Sequence, residues 1–169
     1  MGVVSILGAV EKLAMMAVAV KEAEHVAMRH AVAIVQREAR AEIGHYQEEA
    51  GPLVAWAELA ESTKADRARN GYPENEPLLR DGTLRDSIQT AVSEVGAPLA
   101  EGAVGSNSDI AVYQELGTAS IPPRSFLGGA AIRSGEKVSQ VLGAGVVSAL
   151  VGRDVFGGVL PLSGGQRSG

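Results

Sequence analysis

The first fifty residues show the pattern of one long helix. From Val3 to Ala50 the chain contains no proline and is rich in Ala, Glu, Lys, Met and Arg, which favour helical backbone. Beyond Val20 the charges come in clusters, with apolar residues between them at Val26, Val32, Ile34, Val35 and Ala39. Gly44 is the expected weak point of this helix. We therefore predict a long N-terminal helical segment over residues 1–50.

The pattern changes at Gly51-Pro52, which interrupts the helical spacing. The stretch that follows carries charges of both signs together with the turn signals Asn70-Gly71 and Pro73. We interpret residues 51–77 as a linker, within which Ser62–Pro77 is predicted to be an exposed, mobile loop.

Between Leu78 and Ile121 the apolar spacing becomes that of short strands separated by Gly, Pro, Asn and Asp. The three strand patterns cover residues 84–95, 99–106 (LAEGAVGS) and 110–117 (IAVYQELG). The first could be helical at its start, because Leu84 and Ile88 are four residues apart. The natural prediction is a small antiparallel meander.

A second helix is predicted from Ser125 to Val151, after the double proline Pro122-Pro123. The apolar residues available for one of its faces are Phe126, Ala130, Val138, Val141, Leu142 and Val146. Glycine, serine and proline dominate residues 152–169, which predicts a flexible tail. The chain is thus expected to be α+β, with an N-terminal helix, an α+β core over residues 78–151 and a C-terminal helix packed on the sheet.

Composition adds two constraints to this picture. Hydrophobic residues make up 46% of the chain and charged residues 21%, which is typical of a globular protein. Only 4% are aromatic, and a core of small aliphatic side chains buries little area per residue. Part of the apolar surface is therefore expected to be buried between subunits. The longest apolar run, Leu13–Val20, is far shorter than the roughly 20 residues that span a bilayer, so a soluble chain is predicted.

The charge balance argues against a protein that grips nucleic acid. The net charge is −5 at pH 7, whereas DNA-binding proteins present basic surfaces. An acidic surface suits a protein that DNA slides past. The chain also has no cysteine, which excludes disulfides, thiolate catalysis and cysteine-ligated metal sites.

Candidate catalytic or ligand motifs are weak. The LSGGQ stretch, Leu162–Gln166, matches the signature loop of ABC-type ATPases, but only three residues follow it and the chain has no phosphate-binding P-loop. His25, His30 and His45 lack the spacing of a metal pair, and we interpret them as solvated helix residues. The chain has no GxSxG nucleophile motif. We predict a protein that is not an enzyme and has no catalytic, cofactor-binding or metal site.

Two stretches carry a specific resemblance, LLRDGTLRDSI at 78–88 and IAVYQELGTASIPPRSFL at 110–127. Together they resemble the tailed-bacteriophage proteins known as virion morphogenesis, tail-completion and head–tail joining proteins. The matching positions are Leu79, Gly82, Leu84, Ser87, Ile88, Tyr113, Leu116, Gly117, Thr118, Ile121, Pro122, Arg124, Phe126 and Leu127. Trp56, in the stretch WAEL before Ser62-Thr63, fits the lead-in of that family. The resemblance covers about residues 56–127.

The resemblance implies a structural virion protein of the head–tail neck, either a tail terminator or a head-side adaptor. Such a subunit assembles into a ring, most often six-fold, between the portal or connector and the tail tube. DNA would pass through the ring without specific binding, no membrane would be involved, and assembly would take place in the bacterial host cytoplasm. The alternative is a soluble helical interaction or regulatory protein that dimerises through its N-terminal helix, although the run LAMMAVAV blurs any heptad seam.

The junction at residues 113–127 has the chemistry of a stiff elbow. Gly117 can adopt positive φ and turn the chain sharply, while Pro122-Pro123 fixes φ and holds the backbone extended before the helix. Phe126-Leu127 would then seat the first helical turn on the sheet. Arg124 is expected either to satisfy carbonyls at a strand end or to pair with an acidic residue of a neighbouring subunit.

Overall fold

The computed structural model describes residues 6–94 and 99–151, which form five helices and two strands. In chain order these are α1 (Ile6–Glu42), α2 (Glu61–Arg69), α3 (Thr83–Asp86), β1 (Ile88–Val92), β2 (Gly102–Ser106), α4 (Asp109–Leu116) and α5 (Phe126–Val151). The predicted α+β class is confirmed, with its long N-terminal helix, small antiparallel sheet and C-terminal helix. The predicted flexible tail and its LSGGQ stretch lie outside the described residues.

The long first helix ends where the sequence predicted a weak point. Gly44 has φ +101°, a conformation that favours glycine. Its N–H donates to the carbonyl of Pro77 at 2.8 Å, so the chain leaves the helix along a fixed path. The helix therefore ends at Glu42, short of the predicted end at residue 50, and a residue with a side chain would be strained at position 44.

The chain divides into two compact units, and the first consists, within the described residues, of 6–31, 92–94, 99–102 and 139–151. Its buried apolar residues on α1 are alanines spaced by four, Ala19, Ala23, Ala27 and Ala31. On α5 the buried positions are Gly145, Ser148 and Ala149. Such small side chains allow helices to approach closely.

His25 belongs to this first unit and corrects one prediction. It was expected to be solvated, but only 1% of its surface is exposed. Its Nδ1–H donates to the carbonyl of Lys21 at 2.9 Å, whereas Nε2 has no hydrogen-bond partner in the described part of the chain. Glu24 and Val26 on either side are half-buried. A histidine beside a charged residue gives no local sequence signal of full burial.

The second unit, residues 32–91 and 103–138, holds the hydrophobic core that matters for the site. The core consists of Ala39, Ile43, Trp56, Leu78, Leu84, Ile88, Ala111, Phe126 and Ala130. Phe126 and Ile88 are fully buried, so the start of α5 packs near the start of β1 as well as against α1. Trp56 comes from the segment that was interpreted as a linker, and the core therefore draws on residues outside 78–151.

The sheet is small and is tied to α1 at the start of β1. The carbonyl of Ile88 accepts hydrogen bonds from Gln36 Nε2 and Arg40 Nη2, both at 2.8 Å. The short helix α3 immediately precedes β1, in agreement with the helical start that the four-residue spacing of Leu84 and Ile88 allowed. Two polar side chains of the long helix thus occupy an acceptor at the end of a strand.

The third predicted strand is wrong, because residues 109–116 form α4. The apolar run IAVYQ suggested alternation, but the residues turned inward follow helical spacing: Ala111 is buried, and Gln114 and Glu115 are partly buried. The helix starts where the Ala111 N–H donates to the carbonyl of Ser108 at 3.0 Å.

The predicted mobile loop at Ser62–Pro77 is also wrong, because residues 61–69 form α2 and the turn after it is anchored. Arg67 is only 8% exposed. Its Nη1 donates to the main-chain carbonyls of Pro73, Glu76 and Leu79 at 3.3, 2.6 and 3.1 Å. The buried Arg67 guanidinium therefore stabilises the turn by binding three of its carbonyls. Local composition could not reveal these contacts, because they lie 6 to 12 positions away from Arg67.

Candidate functional site

The residues singled out by sequence resemblance all lie in the second unit, but they divide between core and surface. Trp56, Leu84 and Phe126 are buried in the core, and Leu79 packs against it. Tyr113 is half-exposed on α4. The core members fix the shape of the unit, so the surface members are the candidates for contact with a partner.

Gly82 and Ser87 shape the turn that precedes β1. Gly82 has φ +87° and leads into α3. Asp81 accepts a hydrogen bond from the Thr83 N–H at 2.9 Å, and this bond is the main reason that the pKa of Asp81 is lowered. The Ser87 hydroxyl lies 2.7 Å from the Leu84 carbonyl and 2.7 Å from the Ser106 hydroxyl, which joins α3 to β2.

The elbow after α4 is a turn closed by hydrogen bonds. Gly117 has φ +75°, so the predicted positive φ is confirmed. Thr118 closes the turn, since its N–H donates to the Ile121 carbonyl at 2.8 Å and its hydroxyl accepts from the Ile121 N–H at 3.1 Å. A Cβ atom at position 117 would lie 2.9 Å from both Ile121 O and Pro123 N, so only glycine fits.

The buried side chain of Arg124 connects the elbow to the segment that follows Trp56. It is 4% exposed, and its Nε and Nη2 donate to the Ala57 carbonyl at 3.2 and 2.8 Å, with a further bond from Nη2 to the Glu58 carbonyl at 3.2 Å. Burial lowers the pKa of Arg124. The expectation that it satisfies carbonyls is met, but these belong to the segment after Trp56 and not to a strand end. Arg124 is buried within its own chain, so it presents little surface to a neighbouring subunit.

Glu115 is a structural residue that sequence reasoning missed. Its carboxylate accepts from the Leu127 and Gly128 N–H groups at 2.9 and 2.8 Å, and from the Ser125 hydroxyl. It thereby caps the first turn of α5, where unpaired N–H groups and the helix dipole favour an anion. Glu115 and Ser125 are ten positions apart, so no local sequence signal reveals this cap.

A groove of about 850 Å³ opens in the second unit where the motif stretches meet. Its lining includes Leu59, Leu84, Ile110, Ile121 and Pro122, so three of the recognised stretches contribute apolar surface. Three arginines, Arg67, Arg80 and Arg124, also line it. The groove therefore combines an apolar lining with three arginines, which the acids Glu58 and Asp81 offset in part.

The outer face of α4 is the second notable surface. Ile110, Val112, Tyr113 and Leu116 are each more than half exposed, and Leu116 reaches 74%. These four occupy one side of an eight-residue helix whose opposite side packs on the core through Ala111. Ile110 also lines the groove, so the apolar face and the groove form one continuous surface.

A buried acid–base pair lies in the same unit, between α1 and α5. Glu42 is 3% exposed and its Oε1 accepts from Arg133 Nη1 at 2.7 Å, while Oε2 has no hydrogen-bond partner in the described residues. Burial raises the pKa of Glu42 to about 7, against the opposing effect of Arg133.

Over residues 6–94 and 99–151, no group of three or more His, Cys, Asp or Glu side chains is placed to hold a metal ion. No helix among these residues is long and apolar enough to cross a membrane. No protein-family model, curated protein or solved structure matches the chain.

Proposed function

We propose that this protein is a structural subunit of the bacteriophage head–tail neck that assembles into a ring around the DNA passage. The observation that carries the proposal is the exposed apolar face of α4, which holds Tyr113 and Leu116 of the recognised YQELG stretch. A helix in a soluble monomer buries such side chains, and an exposed apolar face of this kind is typical of a subunit interface.

The surroundings of α4 support the same proposal. Arg124 and Glu115 fix the elbow and the start of α5 through buried or charge-assisted hydrogen bonds. A surface held this firmly loses little conformational entropy when a partner binds. Rigid presentation suits a closed ring, in which an angular error at one contact would be repeated at every other.

A ring also needs a second, different surface on each subunit, because its contacts are head-to-tail. The second unit offers Val54 and Ile132, both exposed, beside the turn at Gly51. Under this proposal the ring docks on the portal or connector on one side and the tail tube on the other, and the chain's net charge of −5 favours passage of DNA without binding.

The test is the mass of the purified protein by light scattering, alone and mixed with isolated heads or tails that lack neck proteins. Leu116→Asp should keep the helical circular dichroism of the wild type and abolish ring formation and particle binding. Leu99→Asp is the matched control, because Leu99 is 70% exposed but lies outside α4. A wild-type protein that stays monomeric and binds neither particle contradicts the proposal.

A second candidate, the helical interaction protein, is favoured by one observation in the first unit. Val10, Leu13, Met15 and Val18 of α1 are each more than half exposed. A dimer formed through this helix would be disrupted by Leu13→Asp and unaffected by Leu116→Asp. The proposed ring would instead be disrupted by Leu116→Asp and unaffected by Leu13→Asp, so the two variants distinguish the two candidate functions.

A further inference from the structure

The groove of the second unit is lined by two buried guanidinium groups, those of Arg67 and Arg124, that form no ion pair in the described chain. Both donate their hydrogen bonds to main-chain carbonyls. Buried guanidinium groups in proteins are normally paired with an anion, because an unpaired charge in a low-dielectric setting is costly.

A third arginine, Arg80, lines the same groove and is exposed. The guanidinium of Arg80 lies 4.6 Å from the centre of the Tyr72 ring and forms no salt bridge in the described chain. Burial is the main reason that the pKa values of Arg67 and Arg124 are lowered. Repulsion from Arg80 lowers that of Arg67 further, against Tyr46 and Glu76, and repulsion from Arg67 lowers that of Arg124 further, against Tyr46. Stacking on an aromatic ring leaves the outward N–H groups of Arg80 available for a carboxylate.

Two acids also line the groove, and one of them, Asp81, attracts Arg80 without forming an ion pair with it in the described chain. Glu58 lies 3.6 Å from the Lys64 ammonium, and Asp81 accepts from the Thr83 N–H. The groove is thus a positive site on a chain whose net charge is −5. The net charge of the chain disfavours a nucleic acid as the occupant of the groove. The arginines and the apolar lining instead favour an acidic protein segment that also carries an apolar side chain.

One surface of the same chain has these properties, the turn Glu48–Val54. It is held by two hydrogen bonds of 3.0 Å, from Ala50 N to Leu53 O and from Leu53 N to Ala50 O. Glu48, Glu49 and Val54 are exposed, and neither carboxylate forms a salt bridge in the described chain. The turn is therefore preformed, acidic and apolar at its end.

We propose that the Arg80 side of the groove receives the Glu48–Val54 turn of a neighbouring copy. The carboxylates of the turn pair with Arg80 at the rim, and Val54 packs on the apolar lining beside Ile110. No residue of the turn lines the groove of its own chain, and each copy offers both surfaces, so the contact propagates head-to-tail. The proposal rests on the proposed ring function and assigns the residues of its subunit contact.

Charge reversal tests the pairing. Arg80→Glu and the double variant Glu48→Lys/Glu49→Lys should each weaken self-association at least tenfold in sedimentation experiments at low salt. Combining all three changes should restore association, because the signs of the charges are exchanged. Arg85→Glu is the control, since Arg85 is also partly exposed and lies outside the groove. Equal association of wild type and Arg80→Glu overturns the proposal.

A cyclised peptide with the sequence of residues 47–55 separates this proposal from the ring function. The full-length wild type should bind the labelled peptide, and Arg80→Glu should not; a peptide with lysines at both glutamate positions is the control. Peptide binding by a wild type that remains monomeric would contradict the ring and keep the groove assignment. Ring formation with no peptide binding, or loss of association in Arg80→Glu alone without any effect of the turn variant, would overturn the assignment of this occupant.

Discussion

Arg133 on α5 donates from Nη1 to Oε1 of Glu42 at 2.7 Å, which joins the end of α1 to a residue 91 positions later. Arg133 also donates from Nη2 to the Glu48 carbonyl. The pair is asymmetric: the side chain of Arg133 is 25% exposed, whereas that of Glu42 is 3% exposed and leaves one oxygen unpaired in the described chain. Desolvation therefore acts mainly on the carboxylate.

This asymmetry predicts that stability falls as pH rises towards neutrality. The pKa of Glu42 is 4.5 when unperturbed and about 7 in the folded chain. Below pH 4.5 Glu42 is protonated in both the folded and the unfolded chain. Between pH 4.5 and 7 it is protonated only in the folded chain, so the free energy of unfolding decreases progressively as the pH increases. Above pH 7 the loss is complete, and we expect it to amount to about 1–3 kcal/mol in urea unfolding.

Glu42→Gln isolates this contribution from the other titrating groups. Glutamine keeps an acceptor for Arg133 and carries no charge to desolvate. The variant should be more stable than wild type at pH 8, and the difference should vanish near pH 4. A difference that is constant across this range would show that Glu42 does not titrate as proposed.

Arg124→Ala is expected to destabilise the fold itself by about 2–4 kcal/mol, because it leaves buried carbonyls of Ala57 and Glu58 without donors. The control is Arg85→Ala, because the Arg85 side chain donates a hydrogen bond only to its exposed neighbour Asp86 in the described chain, and urea unfolding compares the two variants. Only Arg124→Ala should lose stability. If Arg124→Ala unfolded like wild type but failed to associate, Arg124 would act between subunits after all.

Gly117→Ala should destabilise by about 1–3 kcal/mol, because an alanine at φ +75° is strained and its Cβ would meet backbone atoms at 2.9 Å. Gly135→Ala is the matched control on α5, where an added Cβ meets nothing within 4 Å. It should raise stability by up to about 1 kcal/mol through helix propensity. Thermal melts of both variants measure the contrast, and an unchanged melting temperature in Gly117→Ala would contradict the assigned turn.

Glu115→Ala should cost about 1–2 kcal/mol, because two N–H groups at the start of α5 lose their cap. Glu115→Gln keeps an acceptor oxygen and should recover part of this loss. Glu101→Ala, an exposed acid that caps no helix, should be neutral in the same urea titration. Equal stability of Glu115→Ala and wild type would exclude the capping role.

The sequence identified those elements whose signals are local. The long N-terminal helix with its weak point at Gly44, the start of α5 after Pro122-Pro123 and the positive φ of Gly117 each follow from propensity or backbone sterics within a few residues. The predicted helical segment over 1–50 was too long, because α1 ends at Glu42. The resemblance of residues 56–127 to phage neck proteins also came from short motifs, and its functional meaning stays a proposal.

Tertiary structure alone decided where the polar residues act. Arg67 and Arg124 are buried because they bind carbonyls that the chain brings together from distant positions, and Glu42 is buried because α5 covers it. The strand-like run at 110–116 is a helix in the structure, and the helical spacing places Ala111 in the core and Glu115 at the start of α5. Local propensities amount to tenths of a kcal/mol per residue, whereas these buried contacts are worth about 1–3 kcal/mol each, so the distant contacts prevailed.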